Sequence, residues 1–162
     1  MMTSEFFEQQ EGNMCALHAV RNLVGNDKIT KQDFEQVVDE CVDETKLERD
    51  NFATPSGNYT TDVVHRVLNN HGFDVERVSR PLHTYLHDPS LKGFVVHDDA
   101  RNHFTAVRFN AGQLKHFDSM QRSPQFIRKH TLEDTQQWTL MAVKGNQRPA
   151  MDRNFLKAYH NI

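Results

Sequence analysis

Two residues near the start of the chain, Gln10 and Cys15, have the types and spacing that acyl-transfer chemistry requires. Cys15 opens the helical pattern Ala16-Leu17-His18-Ala19-Val20-Arg21-Asn22-Leu23-Val24. A thiol in the first turn of a helix meets backbone N–H groups that lack intrahelical acceptors, and the positive end of the macrodipole. Both favour thiolate over thiol, so the cysteine becomes a usable nucleophile near neutral pH. Gln10 lies shortly before it, and its amide N–H can point at the oxygen that turns negative when a thiolate attacks a carbonyl.

A thiol nucleophile needs a base that takes its proton and later protonates the leaving group, and histidine titrates in the right range. The chain offers ten histidines. His18 is one helical turn beyond Cys15, so both side chains project from one helix and leave little room for a substrate carbonyl between them. His103 is better placed. It begins the strand pattern Phe104-Thr105-Ala106-Val107-Arg108-Phe109, and Asn110-Ala111-Gly112 then turns into Leu114 to Asp118, a hairpin by its pattern. If Asn110-Ala111 is the two-residue loop, paired positions sum to 221 and His103 faces Asp118. Directly opposed residues have Cβ atoms about 4.5–5.5 Å apart on one face. A carboxylate there binds the far N–H of the imidazole, fixes its tautomer and leaves the other nitrogen for Cys15. A three-residue loop with Gly112 in a bulge shifts this register by one. On spacing alone the alternative stands that Asp118 caps a turn and His103 is an ordinary strand residue.

The elements that must position these groups are legible in outline. The first helix is expected from about Asn13 to Val24, with Ala16, Val20, Leu23 and Val24 inward and Gly25-Asn26 as its stop. The second starts at Thr30, with Asp33 in a capping-box position and Ile29 placed to staple onto Phe34. It fades into an acidic stretch reaching Asp50, read as a solvated helical arm. After the turn Thr54-Pro55-Ser56-Gly57-Asn58, a third helix runs from about Thr61 to His71 and stops at Gly72. Strands are expected at Phe73–Val78, Gly93–His97, His103–Phe109, Gln113–Asp118 and Trp138–Val143, with a short helix starting at Ser123-Pro124 and a docking helix around Phe155, Leu156 and Tyr159. Helices first and then a mainly antiparallel sheet make an α+β architecture.

Composition bounds the rest. The 162 residues fit one domain, and 37% hydrophobic with 25% charged residues is the balance of a soluble globular protein. A net charge of -3 with Lys and Arg scattered singly argues against a nucleic-acid partner. No apolar run has the length of a membrane span and the acidic N-terminus is not a secretory signal, so an intracellular, cytoplasmic or nuclear protein is expected. Such a chain has no need of a disulfide between its two cysteines. Cys41 falls in register with Phe34, Val37 and Val38 on the apolar stripe of the second helix and reads as a core thiol. A zinc site on Cys15-x-x-His18 lacks a second ligand pair at regular spacing.

The order Gln, Cys, His, Asp is that of papain-like thiol hydrolases, and several blocks narrow the likeness. Gln10-Glu11-Gly12-Asn13-Met14-Cys15-Ala16-Leu17-His18, Pro55-Ser56-Gly57-Asn58, Asn102-His103-Phe104-Thr105-Ala106-Val107-Arg108, Phe117-Asp118-Ser119 and Ala142-Val143-Lys144-Gly145 resemble, in order, the Josephin family of deubiquitinating cysteine proteases. The resemblance implies a papain-like fold in one catalytic domain over residues 1–162, with a core of about 6–145 and a short extension over 146–162. It implies that Cys15 is the nucleophile, His103 the base, Asp118 the orienting residue and Gln10 the oxyanion donor. Ubiquitin or polyubiquitin is the implied partner, bound by a monomer that needs no cofactor and no metal. The segment from Asp39 to Thr54 looks short for the helical arm that covers the active site in larger members. No tail of ubiquitin-binding helices follows the last strand, so linkage preference supplied by such tails is expected to be absent. Two other readings stay open: the same triad acting on a ubiquitin-like modifier or another acyl group, and a silent module that holds ubiquitin without cleaving it.

Overall fold

A computed structural model of the chain describes residues 5–10, 14–54 and 58–145. Three helices come first: α1 (Cys15–Val24), α2 (Lys31–Thr45) and α3 (Thr61–Asn70). Then follow β1 (Phe73–Arg77), α4 (Leu82–Leu86), β2 (Leu91–Asp98), β3 (His103–Asn110), β4 (Gln113–Phe117), β5 (Gln125–Phe126), α5 (Lys129–Asp134) and β6 (Trp138–Gly145). The expected docking helix around Phe155 lies outside the described residues, as does the start of the first helix at Asn13.

The helix signals act as their chemistry dictates. Thr30 and Asp33 close the capping box, each side chain bonding the other's backbone N–H. Gly25 takes the left-handed conformation at φ 81° and its N–H closes onto the Arg21 carbonyl, ending α1. The acidic arm is less free than its composition implies. Lys46 turns α2 at φ 62°, and a 3-10 turn at Arg49–Asn51 brings Arg49 back onto Glu35 and Asp39, while Glu44 pairs with Arg66 of α3.

The strands form one six-stranded antiparallel sheet in the order β1-β6-β2-β3-β4-β5. Alternation along its central strands separates two cores. Val95, Phe104, Ala106, Met141 and Val143 pack under α1, α2 and α3 with Phe34, Val38, Cys41 and Val64. Phe94, Val96, Val107, Leu140 and Ala142 face the other way, against Leu82 and Tyr85 of α4 and Leu132 of α5. The short helices thus cap the second face, and neither begins where a helix was expected. Ser123-Pro124 instead leads into the two-residue edge strand β5, and the helix of that segment starts at Lys129. Gly93 sits at a bulge in β2, where a Cβ would lie 2.0 Å from the Val107 carbonyl oxygen, so that position requires glycine.

The β3–β4 hairpin corrects the expected register. Asn110 pairs with Gln113 and Ala106 with Phe117, so paired positions sum to 223 and the loop is Ala111-Gly112. Both loop residues have positive φ, 54° and 78°, as a type I′ turn demands, and a glycine at the second central position is what permits it. Moving the loop by one residue shifts the register by two, an even number, so every side chain keeps its face. Continued by one step, the pairing sets Asp118 across from Thr105 and diagonal to His103, still within reach on the same face.

Candidate active site

Cys15 stands in the first turn of α1, with its side chain 4% exposed between the helix layer and the start of β3. The sulfur accepts the backbone N–H of Phe104 at 3.5 Å. His103, the residue before, bonds Asp118 Oδ1 through its Nε2 at 2.9 Å. The remaining ring nitrogen, Nδ1, is therefore the one left for Cys15, whose sulfur raises the proton affinity of the ring. Thiol, imidazole and carboxylate are thus in line, and all three residues are more than nine-tenths buried.

The electrostatics follow from these contacts. The Asp118 bond, then the bond to Cys15, lifts His103 from its ordinary 6.5 to about 9, against the opposing pull of burial. Burial pushes the Asp118 carboxyl up, but the bonds from His103 and from the Met120 N–H, with the imidazolium charge, leave it below the usual carboxylate range. His116, whose Nε2 bonds Thr105 Oγ1 at 2.7 Å, is pushed down by burial. A neutral His116 therefore lies behind a charged His103–Asp118 pair.

Gln10 is reached by a segment laced onto the first helix. The Glu8 carboxylate bonds His18 and Arg21, and the Asn22 side chain bonds both the Glu8 N–H and its carbonyl. His18 is thereby buried in an anchor for the N-terminal strap, which explains it without a role in proton transfer. Gln10 itself donates its backbone N–H to the Ser119 carbonyl at 2.7 Å and accepts the Ser119 hydroxyl on Oε1 at 3.0 Å. Ser119 is 2% exposed. With Oε1 on Ser119, Nε2 is the end of the amide that can donate to an oxyanion. Asp118 and Ser119, adjacent in sequence, thus hold the imidazole and the glutamine respectively.

Two positions were missed as parts of the site. Asn58, read as a turn residue, is buried and its Oδ1 lies 3.3 Å from the Cys15 sulfur. Ser119 gave no signal of its own, because its partner is 109 residues away. A clue to Asn58 was available in a polar residue at the end of a turn that runs directly into the buried Tyr59. Beside Asn58 a cavity of about 420 Å³ is lined by Phe52, Thr54 and Tyr59, with His97 and Asn102 on its far wall. Among the described residues no cluster of His, Cys, Asp and Glu is arranged to hold a metal, and no helix is long and apolar enough to cross a membrane. Cys41 is 5% exposed in the core, as its stripe implied, and neither cysteine is disulfide-bonded.

Helices packed on an antiparallel sheet, with a helix-start cysteine facing a histidine–carboxylate pair from a hairpin, define the papain-like cysteine protease class. The family model described as Josephin matches residues 10–143, most of the chain, and the chain belongs to the Josephin family of deubiquitinase-type cysteine proteases. No curated protein sequence gives a significant match to it.

Proposed function

We propose that this chain is a ubiquitin thiol hydrolase that cleaves the isopeptide or peptide bond after the C-terminal glycine of ubiquitin. The observation that carries the reading is His103 held on Asp118 at 2.9 Å, directly before Phe104, whose N–H meets the Cys15 sulfur. In the reactive form Cys15 is a thiolate paired with the His103 imidazolium, and the sulfur electron pair attacks the glycine carbonyl carbon. The resulting oxyanion is met by the Gln10 amide and by first-turn N–H groups of α1. The C–N bond then breaks, His103 gives its proton to the leaving amine, and a thioester remains on Cys15. Water attacks that thioester and gives one proton to His103, and the thiolate leaves, which restores its pair with the imidazolium. Asp118 stays ionised throughout and stabilises the imidazolium.

The deep placement of the sulfur selects an acyl chain without side chains at its end. A Gly-Gly terminus can thread to a thiol that is 4% exposed, whereas a branched residue would collide with its surroundings. The cavity beside Asn58 and Asn102 is a path for the residues that precede the two glycines. The protein acts in this reading as one catalytic domain and a monomer, with ubiquitin or polyubiquitin as its partner and no cofactor. The test is hydrolysis of ubiquitin carrying a fluorogenic amine at its C-terminus, beside the same adduct of ubiquitin-like modifiers. Release from ubiquitin that disappears in Cys15→Ala and His103→Ala supports the reading. Equal or faster release from a ubiquitin-like modifier would transfer the assignment to that modifier.

A further inference from the structure

Asn58 is 8% exposed, and its neighbours fix which way its amide points. Its Oδ1 accepts the backbone N–H of Tyr59 at 3.0 Å, and its Nδ2 donates to the backbone carbonyl of Asn102 at 3.1 Å. Exchanging the two atoms would set N–H against N–H and oxygen against oxygen. The atom 3.3 Å from the Cys15 sulfur is therefore a carbonyl oxygen, which can only accept. It bonds the S–H form and repels the thiolate. The Phe104 N–H on the same sulfur can only donate, and so favours the thiolate.

We propose that Asn58 is a positioning residue whose carbonyl oxygen favours the thiol over the thiolate of Cys15, against the opposite pull of Phe104 N–H and His103. On ionisation the S–H hydrogen bond to Asn58 Oδ1 is lost, its proton leaves to solvent, and the electron pair stays on sulfur beside the His103 imidazolium. The Asn102 contact gives Asn58 a second hold, on the residue immediately before His103, so one amide positions acid and base together.

Among the described residues, the other groups around the sulfur do not supply this effect. His103 comes from β3, with Asp118 and His116 behind it from the β4 side. On α1 itself His18 is engaged by Glu8, and in the loop before α3 the uncharged Tyr59 turns its hydroxyl to Glu35. Among the described residues, Asn58 is the acceptor at hydrogen-bond distance from the thiol that carries no charge and takes no proton.

The experiment is the rate of Cys15 alkylation by iodoacetamide against pH, with the labelled peptide mapped by mass, in the native protein, Asn58→Ala and Asn58→Asp. The sulfur displaces iodide only as thiolate, so the midpoint reads the ionisation of Cys15. Asn58→Ala is expected to lower the midpoint by about one pH unit, and Asn58→Asp to raise it by a similar amount. A loosened loop would move both variants the same way. That result, or an unchanged or raised midpoint in Asn58→Ala, overturns the proposal. If either variant fails to fold, the S–H infrared band of the native protein at acid pH decides, assigned to Cys15 by its loss in Cys15→Ala. A band displaced to low frequency supports the bond to Asn58, and one at the free-thiol position refutes it. The inference rests on Cys15 being the nucleophile of the proposed hydrolase, but iodoacetamide needs no ubiquitin. Opposite midpoint shifts without ubiquitin cleavage sink the proposed substrate alone, and cleavage without the shifts sinks the role of Asn58 alone.

Discussion

Replacing Asp118 with Asn separates charge from shape at the centre of the site. The amide can keep a hydrogen bond to His103 Nε2, now 2.9 Å long, but it loses the negative charge. His103 is held at about 9 rather than its ordinary 6.5, with the Asp118 bond as the largest cause and Cys15 the next. A difference of that size corresponds to about 3 kcal/mol in favour of the imidazolium, at about 1.4 kcal/mol per pH unit. If the carboxylate supplies the larger share, Asp118→Asn lowers the imidazole midpoint by more than one pH unit, since the share that remains is the sulfur's. The sign is fixed: the reactive thiolate–imidazolium pair is lost when His103 deprotonates, so the alkaline limb of kcat/KM moves down from about 9 toward neutrality. The assay is the pH profile of fluorogenic ubiquitin hydrolysis, with His103 titrated by NMR in Cys15→Ala, with and without Asp118→Asn, to remove the sulfur's contribution. An alkaline limb that stays near 9 in Asp118→Asn refutes the assignment of that proton affinity to Asp118.

The glutamine and its support give a paired prediction. Gln10→Ala is expected to reduce kcat by roughly a hundredfold and Ser119→Ala by about tenfold, with iodoacetamide labelling of Cys15 unchanged in both, since displacing iodide creates no oxyanion. The double variant should be no slower than Gln10→Ala alone, because Ser119 acts through that amide, and additive losses would show a separate role. Gly93→Ala tests the sheet under the site: with the new Cβ 2.0 Å from the Val107 carbonyl oxygen, β2 and β3 must part, and a loss of about 3 kcal/mol or more in denaturant unfolding is expected. A variant as stable as the native chain contradicts the close approach.

What the sequence made legible was local. Cys15 at a helix start, the Thr30–Asp33 box and the stripe ending at Cys41 depend on residues within a few positions of one another, and helix periodicity carries them. The hairpin was legible in kind but not in register, because the choice between Asn110-Ala111 and Ala111-Gly112 depends on which residue takes positive φ, and a window of alternating residues does not encode it. His103 and Asp118 share a face in either register, since the two differ by an even number. The α4 helix escaped because Leu82–Leu86 is too short to show a period. Contacts that close the site across long separations were not legible at all: Asn58 to Cys15 spans 43 residues and Ser119 to Gln10 spans 109. Those pairings join a helix start and loops far apart in the chain, and only the folded chain brings them together.

The most direct measurement is reaction of the native protein with ubiquitin bearing a C-terminal electrophile, with the adduct mapped by mass beside Cys15→Ala and Cys41→Ala. The account predicts one ubiquitin on Cys15, labelling retained in Cys41→Ala, and none in Cys15→Ala. An adduct that survives the loss of Cys15, or a native protein that takes up no ubiquitin while Cys15 still reacts with iodoacetamide, would contradict it.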